Sequence, residues 1–303
     1  MRNCLLSLDL GGTFLKGCLF DPEGVPLPGT FDREPVDSDG ELQTIRNAYQ
    51  AFLRRLKNRA DEACLSISEV VAGIPGPFDF RNGVSRMEHK YASLFGVPLR
   101  PWFEEVLGEV PLRFLHDSTA FLSGAVLAHP DIRNAAAVMI GTGLGFAVME
   151  DGTVLQNENG GPAYSIYKKP FRGKTAEDFL SGRAIVSRYR ALSARSENSA
   201  KTVGDLADSG IDPAAVLVYE ELGSNLAAVI RPILSDLKTE ALYLGGQISK
   251  SFPVFEPKLR EGLSDLPSLR IIEAAKDPDL VPLKGAVKWN LSKKPEQTTG
   301  GKE

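Results

Sequence analysis

Apolar positions along this chain occur in two kinds of run: short and nearly continuous, or long and spaced by three and four. Leu5 to Leu10 is a mostly apolar run interrupted by Ser7 and Asp9, and it reads as a buried strand. It meets Gly11-Gly12-Thr13, and a second strand, Lys16 to Phe20, follows at once and closes on the turn Asp21-Pro22-Glu23-Gly24. From Asp39 to Ala63, Leu42, Ile45, Ala48, Tyr49, Phe52, Leu53 and Leu56 recur at helical spacing, with Arg and Lys on the other face. A strand at Glu69 to Ala72 leads into the rigid loop Gly73-Ile74-Pro75-Gly76-Pro77-Phe78-Asp79. Beyond a short segment around Trp102, a strand at Leu112 to Leu115 ends at His116-Asp117, where an apolar helix starts (Ser118 to Ala128).

The second half repeats the opening. Ala135 to Ile140 is an apolar strand, Gly141-Thr142-Gly143-Leu144-Gly145 a glycine turn, and Phe146 to Met149 a return strand. The two hairpins read as a degenerate internal duplication. Helical patterns cover Ala176 to Ala194 and Pro213 to Leu237, and a third apolar strand, Ala241 to Leu244, ends in Gly245-Gly246-Gln247. A strand at Leu269 to Glu273 and a helix at Leu283 to Leu291 complete the pattern, and the polar tail 293–303 reads as disordered.

The 303 residues suffice for two domains, and 43% hydrophobic with 24% charged residues is an ordinary globular mixture. A formal net charge of -4 supplies no basic excess to drive nucleic-acid binding. Of the 3 cysteines, Cys4, Cys18 and Cys64, none forms a C-x-x-C pair, so no zinc site is indicated and a reducing cytoplasm is expected. No apolar run approaches the roughly 20 residues of a membrane span, and the N-terminus enters a strand without a signal-peptide pattern. No nucleic-acid or membrane partner is expected.

Backbone approaches a phosphate closely only where no Cβ intervenes, so strands ending in Gly-Gly or Gly-Thr-Gly are candidate phosphate sites. A strand–glycine loop–strand is neither a Rossmann nor a Walker loop, because both of those run from strand into helix. Gly173-Lys174-Thr175 resembles half a Walker loop, but Lys168 stands where the upstream glycine is required, and Thr175 with Asp178 reads as a capping box. Three strands end in glycine turns and a fourth in an aspartate, the layout of a nucleotide site at the carboxyl ends of strands.

Asp9-Leu10-Gly11-Gly12-Thr13, Gly73-Ile74-Pro75-Gly76-Pro77, His116-Asp117, Gly141-Thr142-Gly143-Leu144-Gly145, Gly245-Gly246 and Lys284-Gly285-Ala286 stand in the order found in the ROK family of sugar kinases. The resemblance runs from Asp9 to Ala286. It implies an α/β, two-domain actin-like (ribonuclease H-like) ATPase fold with a cleft between domains. The N-terminal domain would cover 1–117, with the C-terminal helix 283–292 packed back on it, and the C-terminal domain 118–282. It further implies ATP- and Mg²⁺-dependent phosphoryl transfer to a hydroxyl of a sugar or sugar-like small molecule.

In that reading Gly11, Gly12, Thr13, Lys16, Gly141, Thr142 and Gly143 hold the donor phosphates, and Gly245, Gly246 and Gln247 face the adenosine. Lys16 reads equally well as a strand-face cation. Asp9 holds Mg²⁺, through water, as a hard cation that dehydrates reluctantly is often held. Asp117 is the general base, or a helix N-cap. A homodimer is implied by family analogy alone.

The departures fall on the acceptor side. His116 stands where these kinases carry Asn. Glu158-Asn159-Gly160-Gly161-Pro162 stands where they carry Gly-Glu-x-Gly-His, and the family's zinc motif is missing, so no structural zinc is expected. Candidate acceptor contacts are Gly76, His89, Lys90, His116, Glu158 and Asn159, with Glu177 as a further one. Lys90 suits an acceptor bearing a negative group. A polyphosphate-dependent glucokinase and a non-catalytic metabolite sensor are the alternatives.

Overall fold

The computed structural model describes residues 2–293 except His89, Ala194 and Ser196. The part of the expected tail from Lys294 on lies outside the described residues. The chain divides into two compact units: Met1–Gly124 with Asn159–Gly161 and Pro282–Glu303, and Ala125–Glu158 with Pro162–Val281.

Unit 1 opens with β1 (Arg2–Leu10) and β2 (Phe14–Phe20), an antiparallel hairpin in which Asp9 lies opposite Lys16. β3 (Asp32–Pro35) adds to the edge beside β2. α1 (Leu42–Glu62) buries Ile45, Tyr49, Phe52, Leu53 and Leu56, the apolar stripe of its sequence pattern. β4 (Leu65–Ile74) lies parallel to β1, and a short hairpin of β5 (Phe78–Asp79) and β6 (Val84–Ser85) follows. After α2 (Arg100–Leu107), β7 (Leu112–His116) joins β4 in parallel and runs without a break into α3 (Asp117–Ala125). The sheet order is β3-β2-β1-β4-β7.

Unit 2 repeats this order. β8 (Ala135–Ile140) and β9 (Leu144–Glu150) form a hairpin, with β10 (Thr153–Val154) at its edge. A small hairpin, β11 (Pro170–Phe171) and β12 (Lys174–Thr175), precedes the helices α4 (Glu177–Leu180), α5 (Gly182–Leu192), α6 (Ala200–Asp208) and α7 (Pro213–Asp236). Then come β13 (Ala241–Gly245), α8 (Phe252–Leu263) and β14 (Ile271–Ala274). The order β10-β9-β8-β13-β14 is again a hairpin edge followed by two parallel strands. Each unit has its own apolar core. This is the α/β architecture the resemblance implies, with the duplication visible in both sheets.

The last helix, α9 (Val281–Ser292), belongs with unit 1 from Pro282 on. Ser7 in β1 donates to the Leu283 carbonyl at 2.8 Å. Buried Asn290 accepts from Arg113 at 2.6 Å and donates to Glu69 at 2.8 Å. α9 packs closely on α3, which groups with unit 1 through Gly124: a Cβ on Gly285 would lie 1.8 Å from the Ala120 carbonyl oxygen. The expected helix Ala176 to Ala194 is two helices, split where Ser181 turns extended and caps α5 by accepting from the Ala184 N–H. Cys4 and Cys18 are buried core residues, and burial pushes the Cys4 thiol up to about 11. No described helix is long and apolar enough to cross a membrane.

Candidate active site

The candidate residues of unit 1 lie at the carboxyl ends of three strands. Asp9 of β1 is in register with Gly73 of β4, which is in register with Leu115 of β7, one residue before His116. Two strand spacings, about 10 Å, therefore separate the lines that carry Asp9 and Asp117. Asp9 is buried, and Lys16 donates to its Oδ2 at 3.0 Å. Lys16 is thus a partner of Asp9 across the hairpin as well as a neighbour of the glycine turn. Oδ1 of Asp9 makes no hydrogen bond among the described residues. Gly11 to Thr13 form the turn, with Thr13 exposed.

Two residues of the following loop close over this turn. Tyr91 is fully buried, adopts φ 54 and donates its hydroxyl to the Gly11 carbonyl at 2.7 Å. A tyrosine in the left-handed region costs about 1–3 kcal/mol and persists where surroundings over-determine it. Here a ring contact with Tyr49 and its N–H donating to the Ser38 carbonyl at 3.0 Å fix it. Lys90 lies across Gly12: a Cβ on that glycine would sit 1.8 Å from Lys90 Cε and 2.8 Å from its Nζ. Nothing in the sequence pattern points to Tyr91. Tyr91→Phe removes one neutral hydrogen bond, worth about 1 kcal/mol, and is expected to weaken ADP binding about fivefold in a calorimetric titration.

At the end of β7, His116 Nδ1 lies 2.8 Å from Asp117 Oδ1 and 2.8 Å from Ser118 Oγ. Ser118 N–H also donates to this Nδ1, at 3.2 Å. Ser118 N–H donates to the same Oδ1 at 2.7 Å. Oδ2 makes no hydrogen bond among the described residues. Burial acts to raise the Asp117 carboxyl. The His116 ring, by charge and hydrogen bond, the Lys90 ammonium and the Ser118 N–H outweigh it and hold the group below the usual carboxylate range. Asp117 is itself the first residue of α3, so it binds the helix's leading N–H rather than standing outside as a cap.

The imidazole of His116 fits because Gly76 has no side chain: a Cβ there would lie 3.2 Å from both Cδ2 and Nε2. Phe80 packs on its other side, with ring centroids 5.8 Å apart. Gly160, at φ 81, lies against Phe80, where a Cβ would approach to 3.1 Å, and Asn159 groups with unit 1 in the same strap. Glu158 is exposed and groups with unit 2. His89 lies outside the described residues.

The candidate residues of unit 2 gather around the second glycine turn. Gly141 N–H donates to the Gly143 carbonyl at 3.0 Å, and the Gly182 N–H donates to the Gly141 carbonyl at 2.7 Å. Glu177 accepts from the Leu144 N–H at 3.1 Å, and a Cβ on Gly143 would lie 2.8 Å from its Oε1. Glu177, read from sequence as a further acceptor contact, therefore braces this turn. Thr142 is exposed, and a Cβ on Gly141 would meet open space. Gly246, at φ 83, passes against the end of β8, where a Cβ would come within 2.3 Å of the Ile140 carbonyl oxygen. That contact sets Gly245 to Gln247 beside the Gly141 turn, with Gln247 exposed. Among the described residues no group of three or more His, Cys, Asp or Glu is placed to hold a metal.

A family model described as the ROK family matches residues 5–292. The chain belongs to the ROK family. An uncharacterised protein of Clostridium perfringens is 26% identical over 265 residues, covering 84% of this chain and 85% of that one. Among solved structures, a ROK glucokinase from Streptomyces griseus in complex with glucose and AMPPNP is similar with a TM-score of 0.77 and 18% identity, over 94% of this chain and 98% of the other. A ROK transcriptional regulator homologous to the Escherichia coli MLC protein is similar with a TM-score of 0.78 and 21% identity, over 96% and 79%. These ROK structures share the actin-like α/β fold of this chain. The family thus holds both sugar kinases and regulators, and the choice between them rests on the residues of this member.

Proposed function

We propose that this protein transfers the γ-phosphoryl group of ATP to a hydroxyl of a sugar or sugar-like small molecule. The observation that carries this reading is Asp117, whose Oδ1 accepts from the Ser118 N–H and lies 2.8 Å from His116 Nδ1 while Oδ2 is left to take a proton. A regulator has no need of an ionised carboxylate held this way. Glucose and AMPPNP, the ligands of the Streptomyces griseus glucokinase, are an acceptor and donor of the classes proposed here.

Phosphoryl transfer is mostly positioning and electrostatic stabilisation. The backbone N–H groups of Gly11 to Thr13 and of Gly141 to Gly143 would hold donor phosphates, and Gly245 to Gln247 would line the adenosine. Asp117 Oδ2 would accept the hydroxyl proton as that oxygen attacks phosphorus. Mg²⁺ fits Asp9: one carboxylate oxygen is free of hydrogen bonds among the described residues, and Mg²⁺ takes one or two carboxylates with phosphates and water completing the shell. Bound there, the ion supplies charge neutralisation on the donor oxygens. On the acceptor side, His116 Nε2 at Gly76 and Asn159 replace the family's Asn and Glu as polar groups for a hydroxyl.

An ADP-release screen over hexoses, acetamido sugars, cyclitols and nucleosides tests this, run with ATP and with polyphosphate as donor. One acceptor class is expected to release ADP from ATP well above the acceptor-free rate. Turnover with polyphosphate alone would move the donor assignment. Silence across the panel, in a protein that binds ATP, would move the reading to a sensor.

A further inference from the structure

Sequence reasoning groups Lys90 with the acceptor; its side chain lies over the first glycine turn. The Lys90 stem fills the space over Gly12 that a Cβ would need, with Nζ 2.8 Å from that position. Its charge is one of the influences that hold Asp117 low, so the same ammonium addresses the base at the start of α3 and the glycine turn after β1. Tyr91, the next residue, is tied to Gly11 by its hydroxyl, which pins the root of the Lys90 side chain to the turn. Lys90 forms no ion pair among the described residues, whereas Lys16 is already engaged with Asp9. A half-buried ammonium near both a glycine turn and the Asp117 carboxylate stands where charge would develop during transfer.

Resting on the kinase reading above, we propose that Lys90 is a catalytic cation that binds the γ-phosphoryl group and stays with it through transfer. The acceptor oxygen forms its bond to phosphorus as the bond from phosphorus to the β,γ-bridging oxygen breaks. ADP leaves with that electron pair, the hydroxyl proton passes to Asp117, and Lys90 keeps its own proton and neutralises the equatorial oxygens. A point charge on a flexible stem suits a group that moves between donor and acceptor.

Calorimetric titration of ADP and of AMPPNP, each with Mg²⁺, into wild type, Lys90→Ala and Lys90→Arg tests this without any acceptor. A charged hydrogen bond to the γ-phosphoryl predicts that Lys90→Ala loses about 10- to 100-fold in AMPPNP affinity. ADP affinity should stay within about threefold, and Lys90→Arg should recover most of the loss. Retained ADP binding also shows that the variant is folded. Equal AMPPNP affinity in wild type and Lys90→Ala overturns the inference and leaves the kinase reading intact, returning Lys90 to the acceptor. Parallel loss of both nucleotides overturns it as well, since the γ-phosphoryl would not be what Lys90 reads. Wild type that binds neither nucleotide overturns the kinase reading and this inference together.

Discussion

Asp117→Asn is expected to lower acceptor-dependent turnover by about 10³-fold, the middle of the range for a general base, while AMPPNP affinity stays within about threefold. The substitution keeps the volume and an oxygen at Oδ1, so the contacts from His116 Nδ1 and Ser118 N–H survive. What changes is Oδ2, which becomes an NH₂ that cannot take a proton. Turnover near the wild-type value would sink the assignment of Asp117 as base. The pH profile adds a second check. The folded Asp117 carboxyl is held below its ordinary value, so it is ionised at neutral pH and protonates only in acid. The wild-type kcat/KM should be flat from neutral pH to about 5 and fall only below the usual carboxylate pKa of about 4. An acid limb above pH 6 contradicts the lowered carboxyl. Stability follows the same sign: the ionised group contributes above its unfolded pKa, and that contribution is lost as pH falls through the folded one.

Gly285→Ala is expected to destabilise the protein by about 3 kcal/mol or more, near the upper end of overpacking effects. The new methyl would lie 1.8 Å from the Ala120 carbonyl oxygen and 2.3 Å from the Gly124 amide nitrogen. Both are backbone atoms of α3, so no side-chain rotation relieves the clash, and α9 must lift from the helix that carries Asp117. Urea unfolding followed by circular dichroism reads this as a lower midpoint. Lys288→Ala, on the exposed side of the same helix, should stay within about 0.5 kcal/mol of wild type. A Gly285→Ala midpoint matching that control would show that α9 does not need the close approach.

Both halves of the fold were legible where local pattern decides. The β1–Gly11–β2 and β8–Gly141–β9 hairpins carry apolar strands broken by glycines, and the structure keeps their order and residues. The split at Ser181 was not legible, because Ala176 to Ala194 keeps a helical period. What breaks it is Gly182 giving its N–H to Gly141, a contact from another part of the chain. α8 was hidden by Pro253 and Pro257: Pro253 stands in the first turn and removes no helical hydrogen bond, whereas Pro257 lies inside the helix, which continues through it. α6 was hidden in a polar stretch, where its only cue was Ser199, whose side chain caps the first turn.

On the site, the glycines and Asp117 announced themselves by type and spacing. Lys90 stood out as a charge but not by its place, and Tyr91 did not stand out at all, since both are set by a loop folding back over Gly11 and Gly12. His116 was visible as a departure, but its Nδ1 turning toward Asp117 depends on the empty face of Gly76.

The return of α9 to unit 1 also sets an order of assembly. Synthesis proceeds from the N-terminus, and domains ordinarily form as they emerge from the ribosome. Here β1 has Ser7 bonded to Leu283, and Gly24, just past β2, has Val287 and Leu291 within van der Waals reach of a Cβ. β1 and β2 therefore wait for α9, and every residue of the second unit is translated before the first can close. A ribosome stalled short of Pro282 would hold a chain whose leading half is unfinished, whatever the state of the half that follows.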